Sequence, residues 1–311
     1  MGEAMARHFR AILAGWALLG ATAAVAETLP VSGVYPAGND AAAALGTIAV
    51  ERFGGVDGQQ LSIAVADRLR EVAIDGEPYF RIVPSRSSSE VDAVLQGTAG
   101  AEASRRDSGT REKEACVERD DDDDCIRREK RRIPCWDQVV RLDATVRLVG
   151  IEGEPIHALD RADEQAERFC EGDQRPSTEA LVRQLAARYA DTLRSDLAPV
   201  ERSEQIRVME TREGLSRDDG RAFREAVRLT KNDPDAACAA WSAIEASNPG
   251  NAATRFNLGL CAESRGELYE AYDRYRSVAA GGEDAGYAKQ GIGRIEGRWR
   301  ANAQLESRRR P

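Results

Sequence analysis

Six cysteines carry most of the chemistry open to this chain: Cys116, Cys125, Cys135, Cys170, Cys238 and Cys261. Thiols can attack a substrate, hold a metal or pair with one another. Zinc sites favour tight Cys-x-x-Cys pairs, and the spacing here contains none. An even set of cysteines in a chain bound for an oxidising compartment reads as a disulfide framework. Five consecutive aspartates, Asp120–Asp124, offer the carboxylate oxygens that a hard cation takes. They lack the alternating ligands, central glycine and distal glutamate of an EF-hand loop. Beside them, Arg127, Arg128, Lys130, Arg131 and Arg132 could grip an anionic surface, although blocks this close in sequence are expected to neutralise one another. His157 has no cysteine or second histidine beside it, so it reads as a strand histidine rather than a proton-transfer group. Neither a Gly-x-Ser-x-Gly elbow nor a Gly-x4-Gly-Lys-Ser/Thr phosphate loop occurs. The expectation is a protein with no catalytic, cofactor-binding or metal-ligating residues, and so not an enzyme.

The compartment is read from the first residues. Arg7 and Arg10 make a positive start, Ala11–Val25 carries no charge, and Ala24-Val25-Ala26 places small residues before a cut between Ala26 and Glu27. Residues 1–26 are therefore expected to be a signal peptide removed on export to the periplasm, with secretion as the alternative. The run is Ala- and Gly-rich and short of the ~20 strongly apolar residues that a spanning helix prefers. No later segment is more apolar, so no integral membrane segment is expected after cleavage. With 53 acidic against 44 basic residues and a net charge of −9, the chain lacks the basic face that nucleic acid requires. A hydrophobic content of 42% still suffices for a buried core.

Elements must hold these groups in place. Residues 27–45, rich in Ala, Gly, Pro and Asn, read as a flexible leader. Thr47–Val50, ended by Gly54-Gly55, is a short buried strand. Leu61, Val65, Leu69 and Val72 recur at helical spacing, and Tyr79–Val83 and Ala93–Thr98 are further strands. The stretch 99–134 has little periodicity and very high charge, so a solvated insert is expected there. Val140, Leu142, Ala144, Val146 and Leu148 alternate with polar residues along a half-buried strand, which Gly150–Pro155 turns back into Ile156–Ala162. Residues facing each other across a hairpin keep a constant sum of residue numbers. A turn centred between Glu152 and Gly153 therefore sets Cys135 opposite Cys170, ~4.5–5.5 Å apart at Cα and within disulfide range. Cys116 and Cys125 are left to close a small loop around the aspartates. Pro176-Ser177 opens a helix with Leu181, Leu185, Tyr189 and Leu193 on one face. Gln205–Met209 reads as a closing edge strand, and from Ser216 the pattern is helical to the end.

The order of elements implies an α+β fold, a mixed sheet with helices packed on it. Residues 46–210 resemble the envelope domains of the curli-secretion channel subunit, the amino-terminal domain of TolB and related penicillin-binding-protein activators. The likeness rests on Gly46–Val50 leading into the Leu61 helix, on Val91–Gly97, on Val146–Val149 and on Leu197-Ala198-Pro199. It implies an anticodon-binding-like fold. Residues 212–300 resemble tetratricopeptide repeats, an all-α module in which small and bulky residues interlock where paired helices cross. Leu258 and Gly259 stand in a first helix, with Ala271 and Tyr275 in its partner. One repeat of about 34 residues earlier, Ala237 and Trp241 take equivalent places, followed by Pro249. The final helix, Gly286–Trp299, caps the stack, residues 301–311 form a flexible tail, and 212–311 should be separable from the rest. This resemblance places Cys238 and Cys261 on packed neighbouring helices, hence a third disulfide. It also implies a concave groove where Tyr269 and Tyr272 are free to touch a partner. The features point to an exported, non-catalytic adaptor or scaffold that binds a protein partner in cell-envelope assembly. The alternative is a soluble accessory subunit of a secretion or outer-membrane complex acting by oligomerisation. An enzyme with an unrecognised site comes third.

Overall fold

The computed structural model describes residues 27–84, 90–281 and 285–309; the expected signal peptide lies outside them. The chain opens with β1 (Thr28–Tyr35) and a single turn of helix, α1 (Asp40–Ala43). It continues through β2 (Thr47–Val50), α2 (Gly58–Arg70), the short strands β3 (Ala73–Ile74) and β4 (Glu77–Pro78), and β5 (Arg81–Val83). Long strands follow, β6 (Ala93–Arg119), β7 (Cys125–Gly150) and β8 (Pro155–Cys170), then α3 (Thr178–Leu197) and β9 (Val200–Arg207). A helical run closes the described chain: α4 (Arg217–Leu229), α5 (Pro234–Ser247), α6 (Ala252–Ser264), α7 (Leu268–Ala279) and α8 (Ala285–Arg309).

The fold is α+β with a mixed sheet. Its strand order is β5-β2-β6-β7-β8, parallel on both sides of β2 and antiparallel beyond. The alternating residues Val140, Leu142, Ala144, Val146 and Leu148 meet the stripes of α2 (Leu61, Val65, Leu69) and α3 (Leu181, Leu185, Tyr189, Leu193) in one core. The start of α3 is fixed locally, where the Ser177 hydroxyl accepts from the Ala180 N–H and Glu179 faces the positive end of the helix. At the turn into α2, Gly55 has φ +85, and a Cβ there would collide with the Ala99 carbonyl.

A second core joins α4–α8 to the start of the chain. Leu29 and Val31 of β1, with Val208 and Met209, pack among Phe223, Trp241, Phe256 and Tyr275. Tyr275 is clamped between glycines: a Cβ at Gly259 would lie 2.7 Å from its ring, and one at Gly291 2.6 Å. Leu258, Ala237 and Ala271 are buried with them, while Pro249 ends the helix pair in an exposed turn.

Several expectations need correction. Residues 27–45 are no flexible leader, since β1 pairs along its whole length with β9. That pairing also takes β9 out of the main sheet, so Gln205–Met209 does not close it. Tyr79 and Phe80 are core residues ahead of β5 rather than part of it. Residues 301–309 continue α8, where Gln304 is buried and bonds the backbone N–H and C=O of Ala37 at 2.9 and 3.2 Å. A unit cut at residue 212 would lose Leu29, Val31, Val208 and Met209 from its core, so 212–311 is not self-contained. The charged insert is the largest departure: its residues form ladders of β6 and β7 rather than an irregular loop. Ladder hydrogen bonds need no apolar periodicity, so charge alone does not exclude a strand.

Candidate interaction site

Three places gather the residues that the sequence singles out. The first is the flank of α6. Asn257, fully buried, holds the extended backbone of Met209 from both sides, accepting from its N–H at 2.8 Å and donating to its C=O at 2.9 Å. The helical module is thus occupied on this side by the chain's own segment. Nearby, Glu263 is fully buried and accepts from the Tyr275 hydroxyl at 2.7 Å and from Arg294 at 2.7 and 3.0 Å. Burial, and secondly the Glu263 charge, holds the Tyr275 hydroxyl well above its ordinary range. These groups tie α8 to α6 and α7. Neither Asn257 nor Glu263 stands out in the sequence; the one signal is a polar residue inside an otherwise apolar helix.

The second place is an aromatic patch on α7 and α8. Tyr269 (79% exposed) and Tyr272 both lie against Trp299, with ring centroids 5.2 and 4.9 Å away. Trp241, by contrast, is fully buried against Phe223. His157 sits 3.2 Å from Asp196 through its Nε2. No group of three or more His, Cys, Asp or Glu side chains is placed to hold a metal ion among the described residues. The aspartate run is one turn of chain, in which Asp120 Oδ1 accepts from the N–H groups of Asp122 and Asp124.

The third place is an arm. β7 is flanked by β8 only up to Cys135, which faces Cys170 in register and is bonded to it, Cα to Cα 3.9 Å. The constant-sum register holds from Cys135/Cys170 to Leu148/His157, and slips only beside the turn. Beyond this staple, β6 and β7 run on as a two-stranded hairpin. At ~3.3 Å per residue, the part of β7 from Pro134 to Cys125 spans about 30 Å. Cys116–Cys125 fastens the far end, Cα to Cα 5.8 Å, beside the aspartate turn. No residue from Ser108 to Pro134 is buried.

Charge is sorted along the arm. The aspartates occupy the tip, and the β7 side carries Arg127, Arg128, Lys130, Arg131 and Arg132 with Glu129 as its one carboxylate. The ion pairs at this end join Arg119 to Asp123 at 3.4 Å, and Arg127 to Glu118 and Glu129 at 3.5 and 3.6 Å. Among the described residues, Arg128, Lys130, Arg131 and Arg132 make no ion pair. The aspartates do not pair with these cations, because the strand carries them away from the turn; across the ladder Arg132 and Lys130 instead face Glu112 and Glu114 of β6 in register.

The third disulfide, Cys238–Cys261, joins α5 to α6. Three disulfides fit an exported protein, and among the described residues no helix is long and apolar enough to cross a membrane. No family model matches this chain, and no curated protein does. Among solved structures it is similar to a PelC variant dodecamer from Paraburkholderia phytofirmans, at 17% identity over 54% of this chain and 96% of that one, with a TM-score of 0.23. A likeness at that score supports no functional argument.

Proposed function

We propose that this chain is a non-catalytic interaction protein of an oxidising, extracytoplasmic compartment, an adaptor or scaffold in envelope assembly that makes its contacts through the stapled arm. The carrying observation is the arm itself. It is a regular element with no core, bonded covalently at base and tip, and it presents sorted charge to solvent. Pre-organising a contact element lowers the ordering cost of binding, which gives the two staples a use beyond the body's own stability. The interlocked small and bulky residues of α5–α7 support a tetratricopeptide-type scaffold in the helical part of the chain. The second reading, an accessory subunit acting by oligomerisation, draws on the edge of β7 that β8 leaves uncovered beyond Cys135.

The test replaces residues 109–133 with a two-residue hairpin turn, keeping Cys135–Cys170. Capture of envelope proteins by the processed chain should be lost in this variant while its melting temperature holds. Capture of the same proteins without the arm, or turnover of an envelope substrate, would overturn the proposal.

A further inference from the structure

Where β8 covers β7, it brings carboxylates to the cations of the sheet. Arg141 bonds Asp143 on its own strand at 3.0 Å. It also faces Glu102 of β6 on one side and Glu164 of β8 on the other. Glu164 in turn reaches across β7 to Arg106 of β6, at 2.6 Å. The turn after β8 continues the pattern. There the Glu171 N–H donates to the Pro134 C=O at 3.0 Å, and Asp173 accepts from Arg111 of β6 at 2.9 Å. Past Pro134 this side of the sheet receives no further carboxylate from the described chain.

From Cys125 to Ile133, β7 has β6 as its one strand neighbour among the described residues. Across that ladder Arg132 and Lys130 face Glu112 and Glu114, Arg128 faces Cys116, and Arg131 faces a like charge, Lys113. Like charges directly opposite are destabilising. On their other flank these four cations are exposed to solvent.

We infer that the β7 edge from Cys125 to Ile133 receives an extended acidic segment of a partner protein, which pairs with it as a third strand. An added strand draws affinity from main-chain hydrogen bonds and specificity from alternate side chains. Side chains of a strand alternate between its two faces, so Arg128, Lys130 and Arg132 share one face. A partner with a carboxylate at every second residue then stands beside them as Glu164 stands beside Arg141. The inference rests on the reading of the arm as a contact element and gives its partner a chemistry.

Charge decides against two other occupants. Residues 127–132 hold five cations and one carboxylate, so a second copy's β7 would set mostly cations against cations. Edge strands use charge in this way to avoid pairing with their own kind. A flat membrane meets one face of a ribbon, whereas Arg131 lies on the face opposite to Lys130 and Arg132. A strand added at the edge reaches both faces.

Fluorescence anisotropy of the processed chain with a labelled peptide tests this. The probe is a capped octapeptide of alternating threonine and glutamate. Two relatives accompany it, one with lysine in place of glutamate and one N-methylated throughout, which keeps the charge and removes the ladder donors. In ~0.1 M salt the probe should bind with a Kd below ~1 mM, and each relative roughly tenfold or more weakly. K130Q/R132Q should weaken the probe by a similar factor, with the melting temperature and the protease resistance of the arm unchanged. No binding up to ~1 mM, equal binding of the N-methylated form, or binding that survives removal of residues 109–133 overturns the inference. So does an arm-dependent dimer in sedimentation velocity, which gives the edge to a second copy. Flotation with phosphatidylglycerol vesicles by a chain that does not bind the probe gives the cations to a membrane instead. Arm-dependent capture of envelope proteins by such a chain would overturn the strand pairing and leave the arm's role intact; capture without the arm would overturn both.

Discussion

From α4 to α8 the chain buries Phe223, Trp241, Phe256 and Tyr275 at 2% exposure or less, whereas no residue of the arm between Ser108 and Pro134 is buried. Both regions are regular. The helices hold together because apolar area leaves water, and polar groups enter that core in satisfied sets such as Glu263 with Tyr275 and Arg294. The arm has backbone ladder bonds and two disulfides, with no core to add to them. An isolated two-stranded hairpin is marginal in water, so covalent closure does for the arm what burial does for the helices. Damage to one region should therefore be global and damage to the other local.

The largest effects should come from the buried side. Trp241→Ala is expected to cost about 3–5 kcal/mol, the usual loss for truncating a buried Trp, and to lower the melting temperature of the whole chain. If the melt is unmoved, the helices do not depend on burial and the contrast fails. Glu263→Ala should cost a comparable ~3–5 kcal/mol, because it strands the Arg294 guanidinium without its partner. Glu263→Gln keeps an acceptor and should cost less in the same denaturant titration.

Next comes the junction. Cys135 and Cys170 are both buried and tie the arm to the body. Replacing the pair by serine should cost roughly 2–4 kcal/mol, read as a lower melting temperature together with faster proteolysis of the arm.

Alkaline pH probes the buried cores, which the arm lacks, without a mutation. Burial, with Glu263 second, raises the Tyr275 hydroxyl, and burial, with Asp160 second, raises that of Tyr189. Both stay neutral in the folded chain, while tyrosines of the unfolded chain ionise near pH ~10. Their contribution is complete below that pH and is lost progressively as pH rises above it through the raised folded-state range. The denaturation midpoint should fall above pH ~10; a flat profile would mean that these hydroxyls reach water.

The smallest global effect belongs to the tip. Replacing Cys116 and Cys125 by serine should leave the unfolding free energy within about 0.5 kcal/mol of wild type, as surface changes do, while protease cuts the arm near Asp120–Asp124 more readily. A large shift in the melt would show that the tip is coupled to the body, and would end the comparison.

What the sequence determined by itself was local. The stripes of α2 and α3, the alternation of Val140–Leu148 and the turn at Gly150–Pro155 each depend on neighbours within a few residues, and a turn of known centre is enough to oppose Cys135 and Cys170. The small residue at Gly259 and the ring at Tyr275 were legible for the same reason, since helix crossings recur at fixed spacing. Tertiary structure decided the rest, because the deciding partners are remote or not apolar. β1 is a strand because β9 pairs with it some 170 residues later, and Gln304 is helical and buried because Ala37 is there to receive it. Val208 and Met209 pack with the helical module because one buried asparagine of α6 holds the Met209 backbone. The insert, read as solvated loop from its charge, is solvated but not loop. Its order comes from backbone hydrogen bonds, which leave no mark on side-chain periodicity, and from disulfides whose partners become visible once the strands are in register.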